Sequence, residues 1–228
     1  MKNSPLLIAL AAILLCVCSC KKEKNTSVDP PPVIDSPITY PNYAKLQPGN
    51  YWIYQDYQLD SVNGPAHPIG TFDSAFVEKD TVINGKTYHK YWDVGYRSPG
   101  SGSNSTLISF LRDSLSYLVT PSSYILFSSA DFSSIFFTST GRDHSSGDSV
   151  MVTTQMGFKD AMTVTDAGTF KTSSFRQVYH FLTGPEQGRS VEYDYRYGLN
   201  IGMVSYTTGV YSSMPQVYER RLVRYHVQ

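Results

Sequence analysis

Cysteine is nearly absent from this chain. Its 228 residues include three, Cys16, Cys18 and Cys20, all within the first twenty positions. The remainder therefore has no disulfide framework, thiol nucleophile or cysteine-based metal site. Charge is also scarce: 17% of residues are charged, and 19 cations meet 19 anions. A balanced chain with no basic stripe excludes an electrostatic nucleic-acid binder. The five histidines, His67, His89, His144, His180 and His226, form neither H-x-H nor H-E-x-x-H, so no metal site is expected. There is no G-x-S-x-G and no phosphate-cradling glycine loop ahead of a helix, and no cofactor is implied. Only five glutamates are present, which leaves little for carboxylate-pair hydrolysis. What the chain does have is aromatic side chains: 18 Tyr, 11 Phe and 2 Trp. That content excludes disorder as the main state.

No apolar run reaches the ~20 residues of a membrane-spanning helix. The longest, Leu6 to Val17, is 12 residues and follows the single basic residue Lys2, as the core of a secretory signal does. It leads into Leu15-Cys16-Val17-Cys18-Ser19-Cys20, which resembles a bacterial lipobox. With Cys20 as the acylated position, Val17 supplies the aliphatic residue at −3 and Ser19 the small one at −1. Cys16 and Cys18 would each place a large residue at −1. Residues 1–19 are thus expected to be a lipoprotein signal, with lipidation at Cys20. Residues 20–44, with Asp29-Pro30-Pro31-Pro32, Pro37 and Pro41, read as an extended tether. Residues 45–228 read as a single β-rich domain.

From Gly49 onward the dominant period is two. Tyr51, Ile53, Tyr57 and Leu59 share one face of a first strand, and Trp52, Tyr54, Asp56 and Gln58 the other. Asn84-Gly85, between Thr81-Val82-Ile83 and Lys86-Thr87-Tyr88, predicts a tight hairpin, because both turn residues tolerate positive φ. Val191, Tyr193, Tyr195 and Tyr197 alternate with Ser190, Glu192, Asp194 and Arg196, giving one buried and one wet face. Further strands are expected at 107–112, 116–120, 134–138, 149–155, 162–165, 170–182 and 216–227. Only 122–134 leaves room for a short helix. This pattern predicts an all-β, mainly antiparallel fold, either one curved sheet closing into a half-barrel or barrel, or a β-sandwich. Arg220, Arg221 and Arg224 read as charges that keep an edge strand soluble, with an anionic ligand or headgroup as the alternative partner.

The segments Pro48-Gly49-Asn50-Tyr51-Trp52-Ile53-Tyr54, Asn84-Gly85-Lys86-Thr87-Tyr88 and a late glycine-bounded strand, Gly198 to Val204, resemble uncharacterised lipoproteins of Bacteroidetes. In those proteins a lipobox and a Pro-rich tether precede a "PGNYWxY" first strand. The resemblance implies an exported β-rich domain and brings no catalytic residue. Five Asp–Ser/Thr–aliphatic triplets, centred on Ser61, Ser74, Thr81, Ser114 and Ser149, exceed what composition gives and resemble the O-glycosylation acceptor of that phylum. The same triplet also describes a turn entering a strand.

Tyr and Trp offer large, stiff contact faces with a polar handle. Trp52, Tyr54, Tyr91 and Trp92 are therefore the candidate ligand-contacting residues. The functional expectation is a membrane-anchored lipoprotein that binds a lipid, glycan or protein partner without catalysis. A structural subunit of an envelope assembly is the alternative, and a hydrolase comes third. Lys21-Lys22-Glu23-Lys24 lacks an acidic run after Cys20, which favours the periplasmic side of the outer membrane over the cell surface.

Overall fold

The computed structural model describes residues 39–61, 64–97, 104–142, 147–210 and 216–228. Cys20 and the tether prolines up to Pro37 lie outside these residues. Thirteen antiparallel strands follow in order: β1 (Tyr51–Leu59), β2 (Ala66–Ile83), β3 (Lys86–Arg97), β4 (Asn104–Ser114), β5 (Tyr117–Val119), β6 (Ile125–Ser128), β7 (Ile135–Arg142), β8 (Ser149–Met156), β9 (Ala161–Thr165), β10 (Gly168–Phe181), β11 (Ser190–Gly198), β12 (Gly202–Val210) and β13 (Gln216–His226). Twelve join in the order β6-β5-β4-β3-β2-β1-β13-β12-β11-β10-β8-β7, one sheet curled into a nearly closed barrel, and β9 pairs β10 off that path. There is one sheet, not two stacked ones, and no helix among the described residues.

The two ends of the sheet meet through side chains. Ser128 N in β6 lies 3.1 Å from Met156 Sδ in β8, and Tyr117 meets Phe136 edge-on with ring centroids 6.2 Å apart. Closing the sheet removes most of the exposed edge that an open sheet of this length would present. The interval 122–134 holds β6 and then a turn built on Asp131, whose Oδ1 accepts from the backbone of Ser133 and Ser134. These side-chain bonds offer the backbone an alternative to helix.

The Asn84-Gly85 hairpin forms as the residues predict, with φ of 50° and 73° and Ile83 paired to Lys86. The stretch Gly198 to Val204 is not one strand. Gly198 ends β11, residues 199–201 turn, and Gly202 opens β12. The last strand, β13, is not an edge: β1 flanks it on one side and β12 on the other. Its arginines therefore serve other ends. Arg220 is 2% exposed, while Arg221 pairs with Glu219 on the outer surface.

Residues 42–50 plug one end of the interior. Ala44 and Leu46 are buried in the core, and Tyr43 packs on Phe127 at 4.9 Å. Asn50 fastens the plug: its Nδ2 donates to Lys45 O and its Oδ1 accepts from Gln228 N, joining the two ends of the domain. The Pro-Gly-Asn of the opening motif is thus structural.

Candidate ligand-binding site

The alternation of β1 puts Trp52, Tyr54 and Asp56 on the inward face. A carboxylate in line with core aromatics requires a partner, because an unpaired buried charge is heavily penalised. Strand register supplies it, since Asp56 stands opposite Arg220, and Arg220 opposite Tyr206. Two more carboxylates converge on the same guanidinium. Arg220 Nη1 donates to Asp93 Oδ1 at 2.6 Å and to the Tyr206 hydroxyl at 3.2 Å, and Nη2 donates to Val94 O at 3.3 Å. Its Nε lies 3.4 Å from Asp73 Oδ2 and 3.7 Å from Asp56 Oδ1. The guanidinium also sits over the rings of Tyr54 and Tyr206, 4.7 and 5.2 Å from their centroids. Asp56, Asp73 and Asp93 are 1%, 9% and 4% exposed.

Irregularities in the ladder make this convergence possible. The β1–β2 register skips between Gln55 and Tyr57, and the β3–β4 register between Val94 and Tyr96. The second skip holds Gly95 at φ 81°, and a Cβ there would overlap the Asp73 carboxylate. Glycine gives that carboxylate its seat.

Three carboxylates to one guanidinium is an unbalanced set. Burial, opposed by Arg220 and reinforced by Asp56, pushes the Asp73 carboxyl up to about 7, and Asp73 shares a hydrogen bond with Asp56. Burial raises Asp93 too, against the pull of Arg220. The charge of Arg220 is opposed by burial, but Tyr206, Asp93 and Asp73 together hold it protonated. A carboxyl that binds its proton more tightly when folded stabilises the fold fully below its unfolded pKa. That contribution is lost as pH rises through the folded value. For Asp73, faced by Arg220, Asp56 and Asp93, the contribution is lost between 3.8 and about 7. The melting temperature should therefore be higher at about pH 5 than at about pH 8, and Asp73→Asn should flatten the difference. A melting temperature that rises over that interval would contradict the assignment.

Beside this cluster the barrel interior keeps a cavity of about 210 Å³. Trp52, Tyr91, Phe175, Tyr195, Tyr197 and Met203 line it, Ala44 and Leu46 of the plug border it, and Asp93 stands in its wall. Leu107, 40% exposed, also lines it. The cluster thus forms the polar end of an otherwise apolar chamber. A second groove, of about 460 Å³, lies between β9 and the outer faces of β11 and β13. Its charged side chains answer one another, with Arg196 and Arg221 both pairing with Glu219.

The four candidate aromatics fall in three environments. Trp52 and Tyr91 line the cavity, with ring centroids 6.0 Å apart. Tyr54 is fully buried, and its hydroxyl donates to Met203 O at 2.9 Å. Trp92 is on the outside, stacked on Phe76, with its Nε1 donating to Glu78 at 2.5 Å. Asp56, Asp73 and Asp93 are not among the residues singled out in the sequence. Their signal is parity: each shares the inward face with a core residue two positions away, Tyr54, Ala75 and Tyr91 respectively.

Among the triplet positions, Ser61 is exposed, while Ser74, Thr81, Ser114 and Ser149 are half-buried. Several of the neighbouring aspartates have structural partners. Asp73 belongs to the ion cluster, Asp80 accepts from His89 Nδ1 at 2.8 Å, and Asp60 pairs with His67 at 3.1 Å.

No family model and no curated protein matches this sequence. Two solved structures are similar in outline. One is described as "a putative lipoprotein" from Parabacteroides distasonis: 14% identity, a TM-score of 0.45, and 83% of this chain aligned to 100% of that one. The other is "a putative exported protein with YmcC-like fold" from Bacteroides fragilis: 12% identity, a TM-score of 0.43, and 82% of this chain aligned to 99% of that one. At these values neither likeness assigns a role to any residue.

Proposed function

We propose that this chain is an exported lipoprotein, held to the periplasmic side of the outer membrane through Cys20, whose barrel binds a small amphipathic molecule without catalysis. The observation that carries the binding reading is the aromatic cavity itself. Core packing ordinarily leaves few voids larger than a water molecule, yet here about 210 Å³ stays open among Trp52, Tyr91, Tyr195 and Tyr197. Concave, mostly apolar chambers with a few polar groups are the usual form of small-molecule sites.

Trp52 reports on the chamber. Trp92→Phe leaves it as the single tryptophan of the chain. In that background, n-hexanol or n-hexylammonium is expected to change Trp52 emission saturably, and Ser109→Phe, which fills the lining position Ser109, should abolish the response. A signal indifferent to both ligands would refute the binding reading. The anchor is tested separately: labelled palmitate should enter the wild-type protein, and Cys20→Ala should lose it. Equal labelling of the two would refute lipidation at Cys20.

A second reading, docking of an envelope protein on the outer face, is favoured by one cross-strand row. His226, Tyr51, Phe76, Trp92 and Ile108 are successive register partners over β13, β1, β2, β3 and β4, and Ile108 is 43% exposed.

A further inference from the structure

We infer that the molecule taken into the cavity is a small organic cation, an ammonium group on a short apolar stem. This rests on the reading of the cavity as a binding site and adds the charge of its occupant. The first support is the wall. The rings of Trp52, Tyr91, Tyr195 and Tyr197 share one chamber with the carboxyl of Asp93, which is 4% exposed. Aromatic rings attract cations through their quadrupole, and boxes of such rings with a carboxylate recognise alkylammonium groups.

The second support is the charge balance. Among the described residues, no Lys, Arg or His lines the cavity, and one guanidinium behind the wall answers three carboxyls. Asp73 Oδ2 and Arg220 Nε, both buried, face each other at 3.4 Å without an aligned hydrogen bond. The set is therefore incomplete by positive charge. An anion would add to the excess, and a neutral stem would leave it unchanged. An ammonium is the chemistry that reduces it.

Volume limits the size of the guest. About 210 Å³ is roughly seven times the ~30 Å³ share of a water molecule in the liquid. A stem of about six carbons with its nitrogen fits that room, and a diacyl lipid does not. The geometry favours a free short-chain amine, although a lipid headgroup presents the same ammonium.

The test compares three isosteric probes on purified full-length Trp92→Phe protein: n-hexylammonium, n-hexanol and hexanoate. Hexylammonium is expected to bind at least tenfold more tightly than hexanol, and hexanoate not at all. Ser109→Lys places a cation in the wall without touching the ion cluster, and should reverse the order in favour of hexanoate. Asp93→Asn should erase the tenfold preference, and because that variant also removes a partner of Arg220, the Ser109→Lys arm keeps the test independent of its folding. Vesicles containing phosphatidylethanolamine, set against phosphatidylglycerol, identify the source: selective competition with hexylammonium points to a headgroup, and none to a free amine. Equal binding of hexylammonium and hexanol would overturn the cation inference while leaving the cavity reading intact. Absence of any response to all three probes would overturn both.

Discussion

Replacing Arg220 with methionine is expected to destabilise the domain by about 3–5 kcal/mol, a large fraction of the roughly 5–15 kcal/mol that holds a domain folded. Methionine matches much of the arginine's length and apolar stem, so lost packing is a minor part. The cost comes from what remains: three carboxyls, each at most 9% exposed, facing one another without a cation. Removing one partner of a buried ion set is far more damaging than replacing the whole set, because the survivors stay desolvated. Adding Asp93→Asn and Asp73→Asn to Arg220→Met should therefore recover part of the loss. Urea unfolding followed by tryptophan emission measures both effects. If Arg220→Met costs less than about 1 kcal/mol, the range of an exposed ion pair, the cluster is not the buried ion set described here.

The second large effect is at the turn beneath Trp52. Gly202 has φ 99°, and a Cβ built on it would stand 2.7 Å from Cε2, Cζ2 and Nε1 of the Trp52 indole. The indole has little room to yield, because it is 1% exposed and its Nε1 donates to Ile201 O at 2.6 Å. Gly202→Ala therefore combines backbone strain of about 1–2 kcal/mol with overpacking of about 1–3 kcal/mol, and a loss of about 3 kcal/mol is expected. Gly85→Ala is the internal control. Its φ of 73° is similarly demanding, but nothing lies within 4 Å of the added Cβ, so only the strain of about 1 kcal/mol should appear. Gly202→Ala should also displace Trp52 and alter its emission. Equal losses at the two glycines would mean that the close approach to the indole is not felt.

Much of the architecture is legible in the residues, and the reason is parity. Val191-Glu192-Tyr193-Asp194 can face a core in only one register, and Asn84-Gly85 can hardly be anything but a tight turn. Strands at the predicted places follow from these local constraints. Other elements leave no such mark. The outer half of β2, from Ala66 to Phe72, is mostly exposed and so carries no alternation, and β6 is only four residues long. The split of Gly198 to Val204 into strand, turn and strand is made at Asn200, φ 60°, and Gly202, φ 99°, the latter lying against Trp52.

The candidate site shows the same division. Trp52 and Tyr91 stand out by residue type, but type alone does not separate Tyr54, sealed in the core, from Tyr91 in the cavity wall. Arg220 was expected at a sheet edge because its sequence neighbours are arginines. Its environment was set by β1 and β12 closing on both sides of β13.

The amino-acid order by itself determined that the chain makes an all-antiparallel body with aromatic inward faces, because side-chain alternation and turn chemistry act over a few residues. The tertiary structure alone decided that Asp56, Asp73, Asp93 and Arg220 meet, and that a chamber stays open beside them. Those residues are up to 164 positions apart, as with Asp56 and Arg220. Their meeting is fixed by strand register and sheet closure, which are properties of the whole barrel and of no local stretch of sequence.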